Sequence, residues 1–262
     1  MERQEYGAKQ TLPDSSRIGE TNLRLQSKGV MLLYYITDRN GFPGTEAERR
    51  AALLRRIGEA AHAGVDYIQL REKDLAPRIL EELAHETVRI VRDHSQLTRL
   101  LINGRSDIAL ACGADGVHLP SGELPASEVR ALWTKSSARK PVIGVSAHSI
   151  AEVREAEAHG ADFAVLAPIF EKERSSAGIG VGILHDACAG VATPGDVEAP
   201  YFGRFAVLAL GGVNLRNARA CLEAGAAGIA GIRLFQNAEI AQTVRLLRGL
   251  QPSASLFEPK AR

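Results

Sequence analysis

One short pattern recurs four times in this chain: Ala63-Gly64-Val65-Asp66, Cys112-Gly113-Ala114-Asp115, His159-Gly160-Ala161-Asp162 and Ala224-Gly225-Ala226-Ala227. Each copy ends a stretch of helical periodicity and opens an apolar run. Its glycine suits the left-handed backbone that terminates a helix. Eight apolar runs lie at 31–36, 66–70, 99–103, 116–119, 141–146, 162–167, 205–210 and 228–232. Their continuous apolar character suits strands buried on both faces, as in a parallel sheet. The four joints precede runs two, four, six and eight. A joint that returns at every second strand fits a closed eightfold repeat, so the expected fold class is α/β, a single-domain (β/α)8 TIM barrel. An open, doubly wound sheet is the alternative.

The segments between the runs carry the expected helices. The first places Leu53, Leu54, Ile57, Ala60 and Ala61 on one side and Arg49, Arg56 and Glu59 on another. Later helices centre on 79–93, 127–133, 150–159, 215–223 and 239–250, with weaker patterns after the third and sixth runs. Residues 1–29 are polar and charged and read as an extension. The barrel is expected over 30–250, with a tail at 251–262. The stretch 189–204, with Pro194, Gly195, Pro200 and Gly203, reads as a surface loop before the seventh strand.

Composition narrows the function. The 262 residues suit one barrel, and 45% apolar residues supply its core. Lys+Arg of 32 against Asp+Glu of 31 gives a net charge of +1, which argues against binding nucleic acid through bulk charge. Aromatic residues make up only 5%, too few for a platform that stacks single strands. No apolar run approaches the roughly 18 residues of a membrane span. Cys112, Cys188 and Cys221 are far apart, so a reducing, cytoplasmic setting without disulfides is expected. The polar N-terminus lacks the apolar core of a secretion signal. A homo-oligomer is compatible with all of this.

Barrels of this kind carry their chemistry at the C-terminal ends of the strands. Gln69-Leu70-Arg71-Glu72-Lys73 is the densest polar cluster there. Alternation sends Gln69, Arg71 and Lys73 to one side and Leu70 and Glu72 to the other. Planar guanidinium and compact ammonium together make an anion site, and a solvated, salt-bridged loop is the plainer reading. Gly211-Gly212 follows the seventh run and Arg233 the eighth, where two glycines let an anion approach backbone N–H groups. A plain tight turn would use the same glycines. His118 ends the fourth run and faces either the pocket or the core. Ser146 and His148 follow the fifth, with no carboxylate placed to complete a nucleophilic triad.

Together these segments resemble the thiamine phosphate synthase / thiazole tautomerase family. The carriers are Tyr35-Ile36-Thr37-Asp38, Gln69-Leu70-Arg71-Glu72-Lys73, Leu101-Ile102-Asn103-Gly104-Arg105, Asp115-Gly116-Val117-His118-Leu119, Ile143-Gly144-Val145-Ser146, Gly160-Ala161-Asp162 with Pro168-Ile169-Phe170, and Ala209-Leu210-Gly211-Gly212-Val213. They keep the family's order and cover about residues 31–250. The resemblance implies condensation of hydroxymethylpyrimidine diphosphate with thiazole phosphate, with Mg²⁺ as cofactor. It implies Arg71, Lys73 and Ser146 as catalytic residues. Gln69, Arg71, Lys73, Asn103, His118, Ser146, Gly211, Gly212 and Arg233 would bind the two phosphorylated substrates. Glu123 matches a metal-binding acid.

Three departures stand out. Gly104 occupies the place of an aspartate that the resemblance makes a magnesium ligand, so a weakened metal site is expected. Glu171-Lys172-Glu173-Arg174-Ser175-Ser176 stands where the synthases have Pro-Thr-x-Thr-Lys. Arg233 stands where a serine is usual. The flanking residues 103–110 and 119–122 look like the tautomerase branch, but that branch's acid/base histidine falls on Pro168. Three readings therefore stay open: the synthase, an isomerase using His118 or His148, and a non-catalytic phosphate-ligand-binding or regulatory protein.

Overall fold

The structure is a computed structural model that describes residues 31–170, 177–191, 205–237 and 239–250. The expected extension 1–29, the segment Glu171 to Ser176, most of the 189–204 loop and the 251–262 tail lie outside the described residues. Eight parallel strands close into one barrel in sequential order. They are β1 (Leu32–Ile36), β2 (Tyr67–Leu70), β3 (Arg99–Asn103), β4 (Gly116–Leu119), β5 (Val142–Ala147), β6 (Phe163–Leu166), β7 (Ala206–Ala209) and β8 (Gly228–Gly231). β8 returns to β1 through four registered pairs, Leu32↔Gly228 to Tyr35↔Gly231. The (β/α)8 barrel is thus the fold, and the open sheet is excluded.

Nine helices are described outside the barrel: α1 (Glu46–His62), α2 (Pro77–His94), α3 (Ser106–Cys112), α4 (Ala126–Ser136), α5 (Ile150–Ala158), α6 (Gly180–Ala189), α7 (Ala218–Glu223), α8 (Arg233–Gln236) and α9 (Ile240–Arg248). Leu53, Leu54, Ile57, Ala60 and Ala61 are the buried face of α1, as the sequence pattern requires. Thr45 caps that helix and shares a reciprocal box with Glu48. The helices with weak periodicity, α3 and α6, run for 7 and 10 residues. A short helix shows too few turns for its apolar stripe to repeat. No described helix is long and apolar enough to cross a membrane, and all three cysteines are unpaired.

Strand alternation divides the core in two. Leu33, Tyr35, Ile68, Leu70 and Val117 face the helices. Leu32, Tyr34, Ile36, Tyr67, Leu101, Phe163 and Val165 fill the barrel itself. Glycine makes room in that inner layer. A Cβ at Gly144 would collide with the Phe163 ring and lie 2.8 Å from His118 Nδ1.

The repeated joints do more than end helices. Gly64, Gly113, Gly160 and Gly225 all take left-handed φ, between 68° and 97°. The aspartate two residues later then turns back onto the preceding strand. Asp66 Oδ2 accepts from the Leu33 N–H at 2.6 Å, Asp115 Oδ2 from Leu100 at 2.9 Å and Asp162 Oδ2 from Ile143 at 2.7 Å. An arginine meets each carboxylate: Arg248 at 2.8 Å, Arg99 at 3.4 Å and Arg130 at 2.9 Å. The strand-opening aspartates thus satisfy backbone donors at the N-terminal mouth, where no further strand residue can. Replacing Asp162 by alanine would strand the Ile143 N–H and unpair Arg130. Urea denaturation at neutral pH is expected to show a loss of about 1–3 kcal/mol; Asp107→Ala, exposed and remote from the joints, is the control.

Candidate active site

The polar residues at the opposite mouth are held by two networks, one between strands and helices and one inside the barrel. The first begins at Arg39, whose guanidinium is buried just beyond β1. It reaches three carboxylates: Glu46 at 2.6 Å, Glu72 at 3.2 Å and Asp74 at 2.6 Å. The Arg39 N–H also donates to Glu72 at 3.0 Å. Thr37 Oγ1 donates to Glu72 Oε1 at 2.6 Å and accepts from the Arg71 N–H at 2.9 Å. Arg39 hydrogen bonds hold Asp74 at about 2. Burial pushes Glu72 up, against the pull of Thr37 and Arg39. Glu72 is therefore a clamp that fixes the backbone between the two cations on either side of it.

That clamp settles the alternation in the Gln69 to Lys73 cluster. Leu70 packs towards the helices and Glu72 is tied to β1. Gln69 points into the barrel, with Nε2 donating to Tyr34 Oη at 2.8 Å. Arg71 is half-buried and Lys73 exposed. The Arg71 charge is felt at His118.

The second network is the polar floor of that mouth. Tyr34 Oη lies 3.1 Å from His118 Nδ1, and His118 Nε2 lies 2.9 Å from Ser146 Oγ. Gln69 and His118 are only 1% and 2% exposed, whereas Ser146 is half-buried at the rim. Burial, with a smaller push from Arg71, drives His118 down to about 3, so the imidazole is neutral. His118 is thus a satisfied interior residue that touches the rim through Ser146. Asn103 pairs in register with His118 on the neighbouring strand.

Across the mouth, Gly211 and Gly212 take φ of 93° and 66°. A Cβ on Gly211 would lie 2.7 Å from Pro168 Cα. The carbonyls of this turn are used: Gly211 O accepts from the Phe170 N–H at 3.0 Å and Gly212 O from Asn217 Nδ2 at 3.0 Å. Arg233 opens α8 directly after β8, and it is exposed. Gln69, Arg71, Lys73, Asn103, His118, Ser146, Gly211, Gly212 and Arg233 all sit at C-terminal strand ends of one barrel. Thr37 and Arg39 are candidates by their place after the first run, but the sequence gives no sign of their carboxylate partner, and it passes over Tyr34. Tyr34 was findable, because it shares strand parity with Leu32 and Ile36.

The metal expectation fares differently. A Cβ on Gly104 would lie 3.6 Å from Glu123 Oε2, so position 104 does face the acid. Gly104 itself offers no oxygen there, and among the described residues no group of three or more His, Cys, Asp and Glu side chains gathers to hold a metal. Magnesium asks for octahedral oxygen ligands and uses one or two carboxylates beside substrate phosphates. The side chains present do not fit a cation site held by the protein.

A cavity of about 440 Å³ opens near the other end of the barrel. Its walls are the structural joints: Arg99 with Asp115, Asp162, and Arg139, which donates to Gly113 O at 3.2 Å. None of the candidate residues lines it.

A family model described as "Thiamine monophosphate synthase" matches residues 33–235. A thiamine-phosphate synthase of Halalkalibacterium halodurans is 35% identical over 207 residues, 79% of this chain and 88% of that one. One of Methanoregula boonei is 36% identical over 201 residues, 76% of this chain and 82% of that one. Among solved structures, a thiamine phosphate pyrophosphorylase from Pyrococcus furiosus superposes with a TM-score of 0.66 at 28% identity. It covers 84% of this chain and 95% of that one.

The buried imidazole gives a pH test. An unfolded chain protonates His118 near the ordinary value of about 6.5, whereas the folded chain resists until about 3. Between these values the unfolded state binds the extra proton. The stability due to this residue is therefore complete above 6.5 and falls as pH drops, by at most about 1.4 kcal/mol per unit. Denaturation at pH 7 and pH 5 is expected to show a loss smaller by on the order of 2 kcal/mol in His118→Gln than in the parent. Equal losses would mean that His118 is not held neutral.

Proposed function

The chain belongs to the thiamine monophosphate synthase family, and we propose that it joins hydroxymethylpyrimidine diphosphate to thiazole phosphate, releasing thiamine phosphate and pyrophosphate. The observation that carries this reading is the Glu72 clamp. It fixes the backbone at Arg71, at the end of β2, and in this reading the Arg71 and Lys73 side chains turn to the pocket side, towards Ser146. Departure of a diphosphate builds negative charge on its oxygens, and preorganised donors stabilise that charge best where water is excluded. Arg71 can grip phosphate oxygens with its planar fork, and Lys73 supplies a point charge.

In this reading Gln69 and Asn103 orient the pyrimidine diphosphate over the barrel mouth. Arg71, Lys73 and Ser146 take the charge of the leaving pyrophosphate before the thiazole nitrogen attacks the pyrimidine methylene carbon. The bond from that carbon to the diphosphate oxygen breaks first, and the nitrogen lone pair then adds to the pyrimidinyl cation left behind. Gly211 and Gly212, with Arg233 on the next strand, anchor the thiazole phosphate and so set the approach of its nitrogen. His118 reaches the substrates through Ser146. Glu123 is the carboxylate that a magnesium ion carried in on the diphosphate would meet, and no step is assigned to that ion.

The isomerase reading has no support in the geometry. Pro168 carries no proton, His118 is buried and neutral, and His148 Nδ1 lies 2.9 Å from the Ala167 carbonyl.

Incubating the protein with both substrates and magnesium is expected to release one pyrophosphate per thiamine phosphate formed. Arg71→Ala and Lys73→Ala are each expected to cut kcat/KM by about a hundredfold or more. Unchanged turnover in both would remove the assignment. Position 104 supplies a second test. Its φ of 63° is a conformation that aspartate tolerates. Gly104→Asp is expected to place a second carboxylate beside Glu123 and to lower the magnesium concentration at half-maximal rate severalfold. No change would mean that the two positions do not share an ion.

A further inference from the structure

Four side chains from four strands form one hydrogen-bonded line across the barrel interior. Gln69 Nε2 meets Tyr34 Oη at 2.8 Å, Tyr34 Oη meets His118 Nδ1 at 3.1 Å, and His118 Nε2 meets Ser146 Oγ at 2.9 Å. Tyr34 is 0% exposed. Its ring packs edge-on against Phe163, with centroids 5.4 Å apart, and against Tyr67 at 5.9 Å. His118 sits 6.2 Å from the same Phe163 ring, in the space left by Gly144. Neither ring can turn without breaking that packing.

The line has a direction. A neutral imidazole has one donor and one acceptor nitrogen. Of the two partners of Tyr34 Oη, Gln69 Nε2 only donates, so the buried hydroxyl's single proton has His118 Nδ1 as its acceptor. Nδ1 accepts, which puts the ring proton on Nε2, and Nε2 donates to Ser146 Oγ. The Ser146 hydroxyl hydrogen is then not needed inside the barrel. It is free to turn to the rim, where the hydroxyl is half-buried. The opposite tautomer would draw that hydrogen inward and show a phosphate only the oxygen lone pairs, which repel it.

We propose that Tyr34 and His118 are positioning residues whose fixed tautomer makes Ser146 a one-way hydrogen-bond donor to the leaving diphosphate. The proposal rests on the reaction assigned above. It extends that reading from the rim to two buried side chains that touch no substrate.

Full-length protein labelled with ¹⁵N-histidine tests the direction. Long-range ¹H–¹⁵N couplings report which ring nitrogen is protonated, and His118→Gln assigns the signal. The expected result is a proton on Nε2 in the parent and a mixture of tautomers in Tyr34→Phe. Kinetics test the consequence. Tyr34→Phe is expected to lower kcat about tenfold with KM unchanged for both substrates, because the lost donor acts on the departing group. His118→Leu is expected to lose about a hundredfold, and His118→Gln, whose amide Nε2 can replace the imidazole donor, to recover most of that loss. Circular dichroism checks that each variant folds. A proton on Nδ1 in an active enzyme, or Tyr34→Phe turning over at the parent rate, overturns the relay alone. A parent protein that releases no pyrophosphate overturns the assigned reaction, and with it the diphosphate as the ligand of Ser146.

Discussion

The barrel depends on an accounting problem at its N-terminal mouth. β1, β3 and β5 each enter the sheet with a backbone N–H that a side chain, not a neighbouring strand, satisfies. In this chain a left-handed glycine lets the following aspartate swing back and accept that hydrogen. An arginine then offsets the cost of holding the carboxylate in a half-buried place. With that end pinned every second strand, the opposite ends arrive at fixed places. Residues from β1, β2, β4 and β5 can then share hydrogen bonds within about 3 Å.

Much of this was legible in the residues. Eight apolar runs and a joint returning every second run gave strand limits within one residue or so of those seen, and they favoured closure over an open sheet. Leu70 and Glu72 do turn away from Gln69, as the alternation requires. The clamp was not legible, because Arg39 joins Glu46, Glu72 and Asp74 across 35 residues of chain. Periodicity reports which face a residue takes and says nothing of its partner on another element. The weak helices α3 and α6 were faint for a related reason: a helix of two or three turns repeats its pattern too few times to stand out.

The two mouths illustrate different uses of charge. At the N-terminal end each joint aspartate has an arginine partner and serves the backbone. At the C-terminal end Glu46, Glu72 and Asp74 are drawn off towards Arg39 rather than towards Arg71 or Lys73. Such a separation lets a pocket carry positive potential in a chain whose net charge is only +1. The interior line from Gln69 to Ser146 adds polarity without charge, so the pocket floor does not compete with the cations above it for an anion.

The fourth joint breaks the rule. Ala227 stands where the others have aspartate, and with no carboxylate it meets the preceding strand through its main-chain N–H, which donates to Val207 O at 2.9 Å. The adjoining seam is also short, with two registered pairs between β7 and β8. Local opening of a closed sheet starts where the fewest bonds must break together. The same two strands carry Gly211, Gly212 and Arg233 at their far ends. The seam with the fewest pairs to break thus lies beneath Gly211, Gly212 and Arg233, whereas the seams on either side of β1 carry three and four.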